Sequence, residues 1–163
     1  MNGRDPYPAL TVRPVQADDA ERVRRLFERL SPESIYRRFF TLFPAPPLTV
    51  VRHLTALDHS DHEALAVLDG GEIVALASWD RIAPAGAEAE IAVLVEDAWQ
   101  HKGLGRALVR MLSGEAARHG ITVLNATVLA DNHPARHLAT SVARPDRVVL
   151  DGPETFYSFS LAS

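Results

Sequence analysis

The stretch Ile91-Ala-Val-Leu-Val-Glu-Asp-Ala-Trp-Gln-His-Lys-Gly-Leu-Gly-Arg-Ala-Leu108 concentrates the residues that could do chemistry. An apolar strand pattern ends at Val95. A short polar loop follows, and Gly103 and Gly105 then precede an amphipathic helical pattern. A helix start leaves about four backbone N–H groups unpaired and carries the positive end of the macrodipole. Glycine lets a bulky anion approach that backbone closely, so strand, glycine-rich turn and helix N-terminus together can make a phosphate site. A plain β–α turn that needs glycine for shape alone fits the same residues. Two other phosphate motifs are excluded. A P-loop needs Gly-x-x-x-x-Gly-Lys followed by Ser or Thr, which is absent. A dinucleotide fingerprint needs a third small residue where Leu108 stands.

The second candidate is Glu90. Strand alternation puts Glu90, Ala92 and Leu94 on one face and Ile91, Val93 and Val95 on the other. A carboxylate on an otherwise apolar face is costly unless it has a task or a partner. The alternative is a solvated strand end. His133 and His137 are four apart on a helical pattern and could ligate zinc only with a third ligand. There is no cysteine and no His-Glu-x-x-His, so these histidines read as surface or capping residues and no metal is expected. Asp58-His59 precedes a strand and is a candidate for a substrate mouth. Arg37 and Arg38 read as a solvated helix face, or as holders of an acidic substrate region. Tyr36 and Phe40 read as core.

The elements that must position these residues follow from pattern. Residues 1–9 read as a loose, flexible tail and 10–163 as one domain. Leu10 to Arg13 alternates as a strand. Asp18 with Glu21 offers a capping box to a helix carrying Val23, Leu26, Phe27 and Leu30. Ser31 and Pro32 start a second helix, with Ile35, Tyr36, Phe39 and Phe40 as its apolar stripe. Thr49 opens a third, with Val50, Leu54 and Leu57 inward. Strands 64–68 and 72–82 flank Asp69-Gly70-Gly71, a hairpin signal. A strand at 89–95 leads to a helix at 103–119, with Leu104, Ala107, Leu108, Met111 and Leu112 on one face. Strand 121–129, a short helix at 132–140 and strands 147–150 and 155–161 complete the chain. The predicted fold is a single-domain α/β structure: a mixed, partly antiparallel sheet flanked by helices.

Composition narrows the function. The chain has 163 residues, enough for one domain with a sizeable core. The absence of cysteine excludes disulfides and thiolate catalysis. The net charge of −4 argues against nucleic-acid binding through bulk charge. Arginine outnumbers lysine sixteen to one, so only Lys102 could form a Schiff base. No apolar run approaches the ~20 residues of a membrane span, and the first residues lack a signal-type apolar stretch. The expected location is cytoplasmic, without membrane or nucleic-acid partners.

Gln100-x-x-Gly103-x-Gly105 after Val93-x-Val95 resembles the acetyl-CoA pyrophosphate loop of the GCN5-related N-acetyltransferase (GNAT) family. The predicted element order fits that fold, and the resemblance covers roughly residues 10–161. Ser31-Pro32-Glu33-Ser34-Ile35-Tyr36-Arg37-Arg38-Phe39-Phe40, Leu54-Thr55 and Asp58-His59 further resemble the acetyltransferase domain of bacterial protein lysine acetyltransferases. The 163 residues leave no room beside it for a cyclic-nucleotide or acyl-CoA synthetase-like domain.

The resemblance implies acetyl-CoA as cosubstrate and a primary amine, protein lysine or small molecule, as acceptor. It implies that the backbones of Val93 and Val95 bind the pantetheine arm. Gln100 begins the loop motif. The N–H groups of His101, Lys102, Gly103, Leu104, Gly105 and Arg106 would bind the pyrophosphate. Asn132 matches an asparagine near the pantetheine, and Glu90 matches the general base. Members often dimerise, so a homodimer is among the expected states. Chemistry supports Glu90, since direct attack needs a neutral amine and a lysine amine with pKa ~10.4 is almost wholly protonated at neutral pH. The sequence departs from the family at Ala139, where a tyrosine usually protonates the departing thiolate, and at Ala143-Arg144, where Gly-Phe is common. A CoA-binding regulatory module without catalysis is the rival reading.

Overall fold

The computed structural model describes residues 10–43 and 45–161, so the tail predicted for residues 1–9 lies outside the described residues. The strands are β1 (Leu10–Pro14), β2 (His62–Asp69), β3 (Glu72–Arg81), β4 (Glu88–Val95), β5 (Val123–Leu129), β6 (Arg147–Asp151) and β7 (Glu154–Ser160). The helices are α1 (Ala20–Arg29), α2 (Pro32–Phe39), α3 (Leu48–Thr55), α4 (Leu104–Arg118) and α5 (His133–Val142). The sheet runs β1-β2-β3-β4-β5-β7-β6. Every neighbouring pair is antiparallel except β4 and β5, which α4 joins as a crossover. The mixed single-sheet α/β architecture read from the sequence is the one observed.

Two apolar layers hold the sheet. Helices α1 to α3 pack on one face, where Leu26, Phe27, Ile35, Val51 and Leu54 meet Ala64, Ala66, Leu76 and Leu94. Helix α4 packs on the other, where Leu104, Leu108, Leu112 and Ala116 meet Leu65, Val67, Ala77 and Trp79. Strands β2 and β3 are therefore covered on both faces, which explains their nearly unbroken apolar runs.

Three local expectations are corrected. The expected Asp18 cap is not formed: a 3₁₀ turn at Ala17–Asp19, with Gln16 at its N-cap, precedes α1, and Asp19 takes the N-cap position of α1 without a side-chain cap bond to that helix. The buried Asp19 carboxylate accepts from Gln16 N–H at 2.8 Å and from both Arg13 terminal nitrogens at 2.7 and 2.8 Å. The Arg13 hydrogen bonds hold Asp19 below the usual carboxylate range against the opposing effect of burial. Tyr36 is exposed rather than core, since α2 buries only Ile35 fully and turns Tyr36 outward. On α4 the buried row is Leu104, Leu108, Leu112 and Ala116, while Ala107 and Met111 face outward. The i, i+4 row, not the wider stripe, meets the sheet.

The feature that positions the site is a split in the sheet. Strands β4 and β5 pair only at Glu88↔Val123, Ala89↔Leu124 and Glu90↔Asn125. Beyond Glu90, β4 continues to Val95 paired with β3 alone, while β5 continues beside β7. The two strands part after Glu90 and leave a free edge on β4.

Candidate active site

The free edge of β4 has a defined hydrogen-bonding face. Glu96 N–H donates to Val74 C=O at 2.9 Å, flanking the Val95↔Ala75 pair. That makes Val95 a non-hydrogen-bonded partner of β3, so its own N–H and C=O point away from β3. Alternation gives Val93 the same direction. Both therefore present backbone groups to the side that β5 has left. The Val95 carbonyl accepts from Gln100 Nε2 at 3.0 Å, which agrees with this orientation.

Gln100 buttresses the loop that follows. Its amide also donates to Ser34 Oγ at 3.1 Å, and Ser34 Oγ donates to Asp97 Oδ2 at 3.1 Å. Asp97 further accepts from Ser31 N–H at 3.0 Å and Ser31 Oγ at 2.7 Å. Partial burial works against the Asp97 carboxylate, but these hydrogen bonds outweigh it and hold it below its usual range. Ser31 keeps its predicted capping role by accepting from Ser34 N–H at 3.1 Å. The loop is thus tied to α2 as well as to β4.

The loop turns through two left-handed residues, His101 at φ 60° and Gly103 at φ 83°. The first helical bond of α4 runs from Ala107 N–H to Gly103 C=O at 3.1 Å. The N–H groups of Leu104, Gly105 and Arg106 have no acceptor within the helix. His101, Lys102, Gly103 and Arg106 are exposed around them, and Lys102 Nζ lies 5.1 Å from the centre of the Trp99 ring. The Leu104 side chain is buried in the α4 core, so only its backbone faces the loop.

The glycine pair divides the two readings made of it. A Cβ on Gly103 would meet nothing within 4 Å, so its positive φ is what demands glycine. A Cβ on Gly105 would come within 3.2 Å of Leu138 Cδ2, so Gly105 lets α4 pack against α5. Asn132 is buried and caps α5, its Oδ1 accepting from Ala135 N–H at 3.3 Å.

Glu90 lies on the opposite side of β4 from α4, exposed in a cleft of about 360 Å³. Arg38 and Phe39 of α2, Thr49, Val50, His53 and Leu54 of α3, Asp80 of β3, and Glu90 and Ala92 of β4 line it. Asp80 is the cross-strand partner of Glu90, so two carboxylates stand side by side. His53 Nε2 lies 2.9 Å from Asp80 Oδ1, and the His53 and His62 rings stack at 4.2 Å. Burial holds the His62 imidazole below its usual value and His53 adds to this, while Asp80 opposes it. Arg38 is half-buried and lines the cleft together with Asp80 and Glu90. Burial pushes its guanidinium below the usual value, and the two carboxylates push it back up.

Other residues singled out from the sequence fall elsewhere. Arg37 pairs with Glu33 at 2.8 Å on the surface of α2. Asp58 does not line the cleft. Its Oδ1 accepts from the N–H groups of Ser60, His62 and Asp61, which lower its pKa to about 2. His59 pairs with Glu63 at 2.7 Å. His133 and His137 are exposed on α5. Sequence reasoning missed His53 and Asp80. His53 falls on the same helical stripe as Val50, Leu54 and Leu57, and Asp80 would follow from the β3–β4 register.

A model described as the Acetyltransferase (GNAT) family matches residues 21–142, a span that holds both the cleft and the loop. The chain belongs to the GNAT acetyltransferase family. GNAT enzymes are transferases that use acetyl-CoA as cosubstrate. The GNAT domain of S. lividans PAT superposes on 92% of this chain and 89% of its own with a TM-score of 0.86 and 34% identity. Acetyltransferase Pat of Mycolicibacterium smegmatis is 32% identical over 129 residues, 78% of this chain, which spans only 38% of that relative's length. The yncA acetyltransferase of Salmonella typhimurium, solved with its cofactor acetyl-CoA, shares the GNAT fold at a TM-score of 0.75 and 20% identity, covering 94% of this chain and 95% of its own. Among the described residues, no helix is long and apolar enough to cross a membrane.

Proposed function

We propose that the chain is an acetyl-CoA-dependent N-acetyltransferase that acetylates a primary amine by direct attack, with Glu90 as general base. The observation that carries this reading is where Glu90 stands. It is the last residue of β4 still paired with β5, at the point where the strands part, and it faces the cleft on the side away from α4. The free edge and the acidic cleft thus meet at one residue.

The residues present fit the cosubstrate. Unpaired N–H groups at the start of α4, with exposed Lys102 and Arg106 beside them, suit a pyrophosphate. Val93 N–H and C=O and Val95 N–H suit the amides of a pantetheine arm, and Asn132 stands at the head of α5. Acetyl-CoA, when bound, supplies the thioester carbonyl as electrophile. Glu90 takes one proton from the substrate ammonium, directly or through water, so that the neutral amine can attack; the N–C bond forms, the C–S bond breaks, and the nitrogen's second proton passes to the thiolate or to solvent. Ala139 offers no hydroxyl to the departing thiolate. A CoA thiol of pKa near ~8.5, by analogy with cysteine, can leave as thiolate or take a proton from water.

The resemblance of residues 31–59 to protein lysine acetyltransferases, and the likeness to proteins named Pat and PAT, support a lysine side chain on a protein as acceptor. A small amine is the alternative. Ala139 favours a second reading, a non-catalytic acyl-CoA-binding regulatory module. Steady-state release of CoA with a panel of amines and peptides separates them. Turnover with at least one primary amine supports transfer. Acetyl-CoA binding without turnover on any amine moves the regulatory reading ahead.

A further inference from the structure

We infer that His53, His62 and Asp80 form a site for one divalent transition-metal ion of the zinc class, set in the wall of the acceptor cleft. Three elements bring the donors together. His62 and Asp80 are direct cross-strand partners on β2 and β3, so their side chains share one face of the sheet. Helix α3 crosses that face and lays the His53 ring over His62. One donor atom from each residue lies within 4.8 Å of the others.

The separations suit a small tetrahedral ion. With bonds of ~2.0–2.2 Å to nitrogen and carboxylate oxygen, neighbouring ligand atoms around tetrahedral zinc stand ~3.3 Å apart. His53 Nε2 to Asp80 Oδ1 is 2.9 Å, and His62 Nε2 to Asp80 Oδ1 is 3.5 Å. These two edges bracket the required value. The third edge, between the imidazoles, must close. The rings are nearly parallel, at 19°, so one must tilt to aim its lone pair at a shared ion. His53 can do so, because its side chain is more than half exposed while His62 is held in place.

A second observation points the same way. His62 Nε2 is buried and makes no hydrogen bond among the described residues. An unpaired buried nitrogen is costly, and a cation shared with Asp80 would satisfy it. Two imidazoles beside one carboxylate favour zinc-like ions over magnesium or calcium, which prefer all-oxygen shells. Three protein ligands leave a fourth position open toward the cleft, where Glu90 lies beside Asp80. Arg38 lines the cleft with the same carboxylates, and its charge opposes a cation there. The second carboxylate, Glu90, offsets it.

Metal at this site would neutralise Asp80 and fill the space beside Glu90. It would therefore inhibit acetyl transfer by competing with the amine and not with acetyl-CoA. That consequence rests on the proposed function, whereas binding of the ion does not.

The test begins with protein stripped by a chelator and titrated with Co²⁺, followed by visible absorption, with Zn²⁺ then displacing it. One equivalent should produce the intense bands of a low-coordinate cobalt site. His53→Ala should abolish those bands and weaken Zn²⁺ binding by more than the ~10–100-fold attached to losing an outer-shell partner. Asp80→Asn should do the same, which covers a failure of the first variant to fold. A His133→Ala/His137→Ala double variant should bind like the parent. Weak octahedral-type absorption only, unchanged binding in both cleft variants, or loss of binding in the α5 double variant would each overturn the site. Kinetics then test inhibition: Zn²⁺ competitive with amine supports it, and competition with acetyl-CoA refutes it. A parent without turnover would sink the transfer reading and leave the titration result standing.

Discussion

Helix α4 carries a matched pair of glycines that isolates the cosubstrate loop from overall stability. Gly103 at its start has φ 83° and Gly120 just past its end has φ 80°, and a Cβ at either would meet nothing within 4 Å. Alanine at each position therefore brings conformational strain without a clash. Holding an L-residue in the left-handed region costs roughly 1–2 kcal/mol. Restricting the unfolded chain returns about 0.4–1 kcal/mol of that. The net loss is about 1 kcal/mol for either variant, or roughly 2–4 °C in Tm for a chain of this size. Only Gly103 belongs to the turn that presents free N–H groups. Any relaxation of that turn in the free protein must be reversed on binding, so Gly103→Ala should weaken acetyl-CoA by up to roughly 10-fold, since 1.4 kcal/mol is a factor of ten. Gly120→Ala should bind acetyl-CoA like the parent. Calorimetric titration and thermal melts with and without acetyl-CoA provide both numbers. Equal acetyl-CoA affinity in the two variants, at equal loss of Tm, would refute the placing of the pyrophosphate on this turn.

Further outcomes follow from particular contacts. Gln100→Ala removes the donors to Val95 C=O and Ser34 Oγ and should raise the KM for acetyl-CoA about 10-fold, at ~0.5–1.5 kcal/mol per bond, with kcat little changed. Gly114→Ala fills an exposed mid-helix position with open space around it, and urea melts should show a gain of about 1 kcal/mol with unchanged turnover. Asp58 has a folded pKa of about 2 against an ordinary 3.8, so its contribution is present above ~4 and lost as pH falls toward ~2. Denaturation across that window should show the parent losing stability faster than Asp58→Asn as the pH drops.

The fold was legible wherever periodicity met a clear stop signal. Ser31-Pro32, Asp69-Gly70-Gly71 and Gly120 each mark a boundary that the structure keeps. The loop around Gly103 and the two faces of β4 were legible too, because strand alternation and glycine spacing are local properties. The Asp18 cap does not form because a 3₁₀ turn precedes α1 and uses Asp19 in a capping box with Gln16, which propensity does not register. Tyr36, Ala107 and Met111 were misplaced because two helix faces can look equally apolar until the sheet chooses one. The cleft was only half legible. Glu90 stood out against its apolar strand, but Asp80 and His53 join it through a cross-strand register and a helix crossing. The packing reason for Gly105 was not legible, because the Leu138 side chain that a Cβ there would crowd comes from α5, far along the chain.

The central claim, that Glu90 takes the proton from the amine, is tested most directly by turnover of Glu90→Gln with saturating amine across pH 6–9. Glutamine keeps the shape and hydrogen bonding of the side chain but cannot accept the proton. Turnover at neutral pH should fall by roughly 10²–10⁴-fold, the usual worth of a positioned base. Acetyl-CoA affinity should stay near that of the parent, because the free edge of β4 and the loop are untouched. Part of the lost rate should return at the alkaline end, where solvent deprotonates the amine. A variant that turns over like the parent across the whole range would contradict the account and leave Glu90 a structural residue at the point where β4 and β5 part.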